Sequence, residues 1–268
     1  MGAVMTNANG SPLIKLDQTN YFSDKAQQDY WSVSQFKSFK ECEAKAMAEL
    51  NRKYVRPESK ALMMGSYVDA YFSGAQDDFV EEHPEIFNKR TGELKADYKL
   101  ADTCIARAEA DPMFMSFMGG DLQVIMTGQL FGVPWKVKID SLHEDKIVDL
   151  KLMRNMDKVY KDGEWKPFVD AWGYDIQGYI YQQIVKANTG KELPFYLAVI
   201  TKEETPDIDL IHIPNWRLKS SGEMIKHYIQ RFDKVKNGQE EPERCGRCEY
   251  CRATKKITKV TEYEELFD

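Results

Sequence analysis

The sequence predicts an α/β (α+β) chain in which helices flank a mixed central β-sheet, and three observations lead there. Residues 135–140 (WKVKID) and 147–151 (IVDLK) are short apolar-alternating runs set back to back across the polar, turn-like stretch 142–146, as in two neighbouring strands. Apolar residues recur at helical spacing through 34–51, 57–72 and 98–109 ahead of them. Behind them, an apolar helical segment at 172–188 precedes another strand-like run at 195–201, and this order of elements calls for a mixed sheet rather than a simple meander.

The elements follow in order. Residues 1–29 read as a flexible N-terminal tail, without the basic-then-apolar pattern of a signal peptide. Ser32 or Ser34 caps a helix that begins near residue 34, places Phe36, Phe39 and Cys42 at helical spacing and runs on to Asn51. A second helix starts after Pro57, with Ala61, Leu62, Met64, Val68, Tyr71 and Phe72 apolar and Asp69 among them; Gly65 and Ser66 are small enough for close packing. Residues 74–95 read as exposed and irregular, and the helix at 98–109 ends before Asp111-Pro112. A strand over 123–130 leads into the two motif strands, and Asp162-Gly163 marks a turn within 158–166. Gln177 and Tyr181 lie one turn apart on the 172–188 helix. Residues 209–213 suit an edge strand, and 222–235 another helix that ends before Asn237-Gly238.

The chemistry centres on the motif strands. Eight residues separate Asp140 from Asp149, and Lys151 follows Asp149 by two. Side chains alternate along a strand, so Asp149 and Lys151 share a face, and Asp140, at the end of the preceding strand, can converge on it. Two carboxylates and an amine on one sheet face suit a hard divalent cation and an activated water. Asp-x-Lys is also a common solvated ion pair. Here, however, it is embedded among Val137, Ile139, Ile147 and Val148, and a carboxylate buried there needs a lysine, a hydrogen-bond network or a metal. Asp69 has two readings, a solvated helix-edge carboxylate or a ligand aimed at the sheet.

Three of the five cysteines form Cys245-Gly-Arg-Cys248-Glu-Tyr-Cys251, a spacing that brings thiolates within reach of one metal centre. Cys42 is the better fourth ligand, because Cys104 lies in an amphipathic helix and reads as core. Free thiols are the alternative. Residues 241–268 form a Cys-rich C-terminal segment packing back on the core. The net charge of −6 gives no global nucleic-acid signature, although Arg244, Arg247, Arg252, Lys255, Lys256 and Lys259 cluster locally. No run of about 18 apolar residues suggests a membrane span, so a cytoplasmic protein without a membrane partner is expected. No phosphate-cradling glycine loop or G-x-S-x-G elbow occurs, and the 4 histidines are scattered.

Asp140, Asp149-Leu-Lys151 and Gln177-x-x-x-Tyr181 together resemble the PD-(D/E)xK nuclease superfamily, in the branch of RecB-type, lambda-type and RecE-like (exodeoxyribonuclease VIII) exonucleases. Gly65 to Ala70 is similar to that branch's G-x-x-x-H-A helix with Asp69 in place of histidine, and Val33 to Cys42 is similar to its first helix. The resemblance implies a restriction-endonuclease-like core over 30–240. It implies Asp140, Asp149, Asp69 and the Leu150 carbonyl as ligands of Mg²⁺ or Mn²⁺. Lys151 would orient or deprotonate the attacking water, and Gln177 and Tyr181 would line the site. The activity implied is a metal-dependent 5′-to-3′ exodeoxyribonuclease on duplex DNA ends in phage or prophage recombination, with a single-strand annealing protein as partner and a ring-like homo-oligomer as assembly. A restriction-like or CRISPR-associated nuclease, or a non-catalytic DNA-binding scaffold, are the alternatives. Cys42, Cys245, Cys248 and Cys251 resemble the one-early, three-late set that holds a [4Fe–4S] cluster in some RecB-like nucleases, with Zn²⁺ as the competitor.

Overall fold

The computed structural model of the chain describes residues 12–57 and 59–266. Seven helices precede the sheet: α1 (Asp24–Asp29), α2 (Val33–Glu41), α3 (Glu43–Leu50), α4 (Lys60–Phe72), α5 (Gln76–Glu82), α6 (Ala96–Glu109) and α7 (Pro112–Met118). Strands β1 (Asp121–Leu130), β2 (Val133–Leu142) and β3 (Ile147–Met153) follow, then a small hairpin of β4 (Val159–Lys161) and β5 (Glu164–Lys166). Helices α8 (Phe168–Trp172) and α9 (Tyr174–Thr189) lead to β6 (Phe195–Thr201) and β7 (Ile208–Ile213), and α10 (Asn215–Lys236) and α11 (Glu249–Ala253) complete the order.

The five-stranded sheet runs β1-β2-β3-β6-β7, antiparallel except where β3 and β6 lie parallel across the crossover that contains α9. This is the mixed sheet flanked by helices that the sequence predicts. Period-two alternation sends Trp135, Val137 and Ile139 of β2 and Ile147 of β3 into one core with α2, α9 and α10. Val148 and Leu150 of β3 point the other way and pack with α4, α6 and α7. The central strand is thus covered on both faces, and any carboxylate it carries is drawn into low-dielectric surroundings.

Several elements differ from expectation for identifiable reasons. The helix over 34–51 is broken at Cys42, whose extended backbone (φ −168°, ψ 108°) separates α2 from α3. Residues 74–95 contain α5 and a 3₁₀ turn, Pro84–Ile86, that buries Ile86 completely. Asp111-Pro112 stops one helix and also starts α7, with Asp111 accepting from Phe114 N at 2.9 Å as N-cap. Helix α10 starts seven residues earlier than expected, at Asn215 after Pro214, because polar residues hide the periodicity around buried Leu218. Of the expected tail, residues 1–11 lie outside the described residues. Residues 12–29 are held against the core: Tyr30 Oη donates to Ile14 O at 2.8 Å, Ser23 caps α1, and Tyr21 is buried.

Candidate active site and cysteine cluster

Strands β2 and β3 pair only at Ser141↔Val148 and Leu142↔Ile147, and then part. Asp140 sits where they separate. Its Oδ2 accepts the Leu150 N–H at 2.8 Å, standing in for a ladder acceptor. Asp149 follows on the opposite strand, only 1% exposed. Its Oδ1 accepts from Gln177 Nε2 at 2.6 Å, and its Oδ2 meets the Lys151 ammonium in a close ion pair but accepts no hydrogen bond of ordinary geometry. Asp69 enters from α4, where its Oδ1 accepts from Gln123 Nε2 at 3.3 Å. Gln123 takes a left-handed backbone (φ 52°) where the β1–β2 ladder skips a pair opposite Asp140.

One cleft of about 630 Å³ is lined by Asp69, Asp140, Asp149, Leu150, Lys151, Gln177 and Tyr181, so the structure brings together every residue of the expected site. Three residues nearby differ from expectation in detail. The Tyr181 hydroxyl donates to Lys138 O at 2.8 Å, fixing the backbone of β2. Gly65 and Ser66 do not mediate close packing: a side chain at Gly65 would meet nothing within 4 Å, and both residues border the open cleft.

A helix–strand contact sets the reach of Gln177. A Cβ on the adjacent Gly178 would lie 2.6 Å from the Phe195 ring and 2.8 Å from Leu218, so only glycine lets α9 approach β6 this closely. The approach brings the Gln177 amide to Asp149.

The electrostatics follow from burial. Burial pushes Asp140 well above the usual carboxylate range, and the Asp149 charge adds to it. Asp69 is pushed up by burial too, opposed by Lys138 and reinforced by Asp149. Burial works against a charge on Lys151, but Asp149 and Asp140 outweigh it and hold the ammonium protonated. Lys37 is brought down to about 8 by burial and by the like charge of Lys151. Three carboxylates line one cleft, and Asp149 Oδ2 lacks an ordinary hydrogen bond; hard oxygens of this kind are the donors that Mg²⁺ or Mn²⁺ takes.

The sequence reading did not single out Lys136, Lys138, Lys37, Tyr21 or Gln123, all of which also line the cleft. Lys136 and Lys138 were discoverable, because they precede Asp140 at strand spacing on the motif strand itself.

At the far end of α2, the ligand atoms of Cys42, Cys245, Cys248 and Cys251 all lie within 4.8 Å of one another. Cys42 Sγ is 3.5 Å from Cys251 Sγ, which in turn is 4.0 Å from Cys245 Sγ. A tetrahedral ion with Zn–S of ~2.3 Å sets its sulfurs about 3.8 Å apart. Cubane thiolates bind separate irons and stand wider. Within the cluster the thiols shift in opposite directions: against burial, N–H groups of Cys248 and Arg247 bring Cys245 down to about 6, while burial pushes Cys248 up to about 12 and Cys42 upward as well. Glu43 clamps the segment by accepting from both Arg231 Nε and Nη2 at 2.9 Å and from Glu243 N at 2.8 Å. Cys104 stands apart in the core, its Sγ 3.3 Å from Thr201 O.

Comparison with known proteins finds that a family model described as "PDDEXK-like domain of unknown function (DUF3799)" matches residues 32–254. A crystal structure of a "putative exonuclease" from Eubacterium rectale superposes with a TM-score of 0.89 at 44% sequence identity, over 94% of this chain and 98% of that one. No curated protein matches. No helix among the described residues is long and apolar enough to cross a membrane.

Proposed function

The chain belongs to the PDDEXK-like family (DUF3799), and from that premise we propose that it is a metal-dependent deoxyribonuclease that degrades duplex DNA from its ends in the 5′-to-3′ direction. The observation that supports this most directly is the joint placement of Asp140, Asp149 and Lys151 in one cleft, with Asp149 gripped on one oxygen by Gln177 and facing Lys151 with the other. Exonuclease rather than endonuclease action is supported by the likeness to the Eubacterium rectale protein, which is described as a "putative exonuclease". Polarity, a role in phage or prophage recombination, a single-strand annealing partner and a ring-like assembly rest on the resemblance to RecE-like and lambda-type exonucleases.

In this reading Asp140, Asp149, Asp69 and the Leu150 carbonyl hold Mg²⁺ or Mn²⁺. The ion supplies charge neutralisation at the phosphate and acidifies water. The Leu150 carbonyl lies on the strand edge that has lost its β2 partner, where its own N–H reaches Asp140. Lys151, held protonated, positions the attacking water and donates to the phosphoryl oxygen on which negative charge grows. Lys138 and Lys37, in the same cleft, balance the phosphate charge of the incoming strand.

Linear duplex DNA labelled at the 5′ or the 3′ end, incubated with Mg²⁺ or EDTA beside the Asp149→Ala variant, tests the reading. Early mononucleotide release from the 5′ label, lost with EDTA and in the variant, is expected. Absence of metal-dependent cleavage on linear, nicked and single-stranded DNA would refute it.

A further inference from the structure

Phe22 is 68% exposed, yet the turn that carries it is tied to the sheet through its neighbours. Buried Lys136 donates to the carbonyl of Tyr21, and its ammonium stands 4.5 Å from the centre of the Tyr21 ring. Gln18 Nε2 donates to Gln123 O at 2.7 Å, tying the same turn to β1. Tyr21 N–H and Ser23 N–H close the turn on Asp17 O and Asn20 O at 3.1 and 3.0 Å. The buried Tyr21 ring supports Phe22 edge-on at 4.9 Å, and Lys138 Nζ lies 5.6 Å from the Phe22 ring centre.

The position of this ring is specific. Phe22 lines the cleft of Asp140 and Asp149 and also a second cavity of about 350 Å³ that carries Arg52 and Arg56, each ion-paired there with a carboxylate of the same cavity, Asp24 and Glu49 respectively. Gln27 and Ser34 are the other residues common to both cavities. A solvent-facing aromatic ring on a tethered turn thus stands where the cleft with the carboxylates adjoins a neighbouring groove. Scattered exposed aromatics need no explanation. A ring whose neighbour Tyr21 is anchored by buried Lys136, on the rim of the cleft that holds Asp140 and Asp149, does.

We propose that Phe22 is a nucleobase-stacking post: the base flanking the scissile phosphate lies against its ring, while the phosphate sits at Asp140, Asp149 and Lys151 and the strand continues past Arg52 and Arg56. The inference rests on the nuclease reading above. Every base has a π-face, so such a post accepts any sequence, and Lys138 beside it neutralises the adjoining backbone.

The test uses the Asp149→Ala protein, which binds without cutting, and a duplex whose 5′-terminal region carries 2-aminopurine. The fluorophore is quenched on binding. Adding Phe22→Ala abolishes the quench and weakens binding at least about fivefold, the lower end for loss of one stacked base. Phe22→Trp retains both effects, and Phe22→Leu retains neither. Trp216→Ala, a change at an equally exposed ring (71%) that borders neither cavity, alters nothing. In the active enzyme, Phe22→Ala raises KM more than it lowers kcat. Unchanged quenching and affinity in Phe22→Ala, in a protein whose parent hydrolyses DNA, would overturn the stacking post alone. A parent that neither binds nor hydrolyses DNA would overturn the nuclease reading and the post together.

Discussion

Gln177 Nε2 stands 2.6 Å from Asp149 Oδ1, so a helix amide fixes the orientation of the most buried carboxylate in the cleft. The contact leaves only Oδ2 facing Lys151 and the cleft. Gln177→Ala should therefore misdirect Asp149 without removing a charge. We expect activity to fall roughly 10- to 100-fold, the usual effect of losing a partner that orients a ligand, with a higher Mg²⁺ concentration at half-maximal rate. Gln177→Glu should be worse, since it sets a second carboxylate against the first. A metal titration of hydrolysis checks both, and unchanged metal dependence in Gln177→Ala would remove Gln177 from the site.

Gly178→Ala probes the same relationship from the packing side. The added methyl would collide with Phe195, which is fully buried and cannot swing away. Overpacking of this kind costs about 1–3 kcal/mol, and relief requires α9 to lift from β6 and withdraw Gln177. Expected together are a lower midpoint in urea unfolding and a loss of activity that persists where the variant is fully folded. Full activity in the folded variant would show that helix spacing does not control the carboxylate.

What the sequence disclosed, and what it hid, divides along the range of the interactions. Asp149 and Lys151 were legible because strand periodicity alone places them on one face, and residues 195–201 were legible as a continuous apolar strand beside it. The link between Cys42 and Cys245, Cys248 and Cys251 was legible because three thiols call for a fourth, although the break between α2 and α3 that presents Cys42 was not. Tyr21 and Gln123 were invisible. One depends on a buried lysine 115 positions away, the other on a left-handed backbone that no side-chain pattern announces. Helix α7 was missed because Pro112 was read only as a stop, when Asp111-Pro112 is equally an N-cap followed by a proline at the first helical position.

Lys236 makes the fold sensitive to pH. Its ammonium donates to Tyr30 O at 2.8 Å and Gln35 Oε1 at 2.9 Å, and burial, reinforced by Lys136 and opposed by Asp233 and Asp29, brings it down to about 7 from 10.5. Between those values the unfolded chain holds a proton that the folded one has released. Stability contributed by this site therefore rises with pH from about 7 towards 10.5, by at most about 1.4 kcal/mol per unit. Lys136 and Lys37, both near 8, add slope of the same sign only above that pH. Urea unfolding of the parent and of Lys236→Met at pH 7 and pH 8 should diverge, with the variant flatter. Parallel curves would mean that Lys236 stays protonated in the fold.

The four cysteines join the α2–α3 junction to the C-terminal segment, with their sulfurs close enough together to hold a metal. The protein as purified should carry one zinc per chain and show no visible absorption. Cys42→Ser should lose the ion, because three thiolates from one short segment cannot enclose it, and should release α11 from α3. A fall in Tm of roughly 10 °C is expected, given 2–4 °C per kcal/mol for a chain of this size and a lost structural centre worth several kcal/mol. Elemental analysis and thermal melts of the two proteins decide the matter. Iron with sulfide, and a brown colour bleached in Cys42→Ser, would instead establish a cubane cluster and require the thiols to spread beyond the 4.8 Å that now contains them.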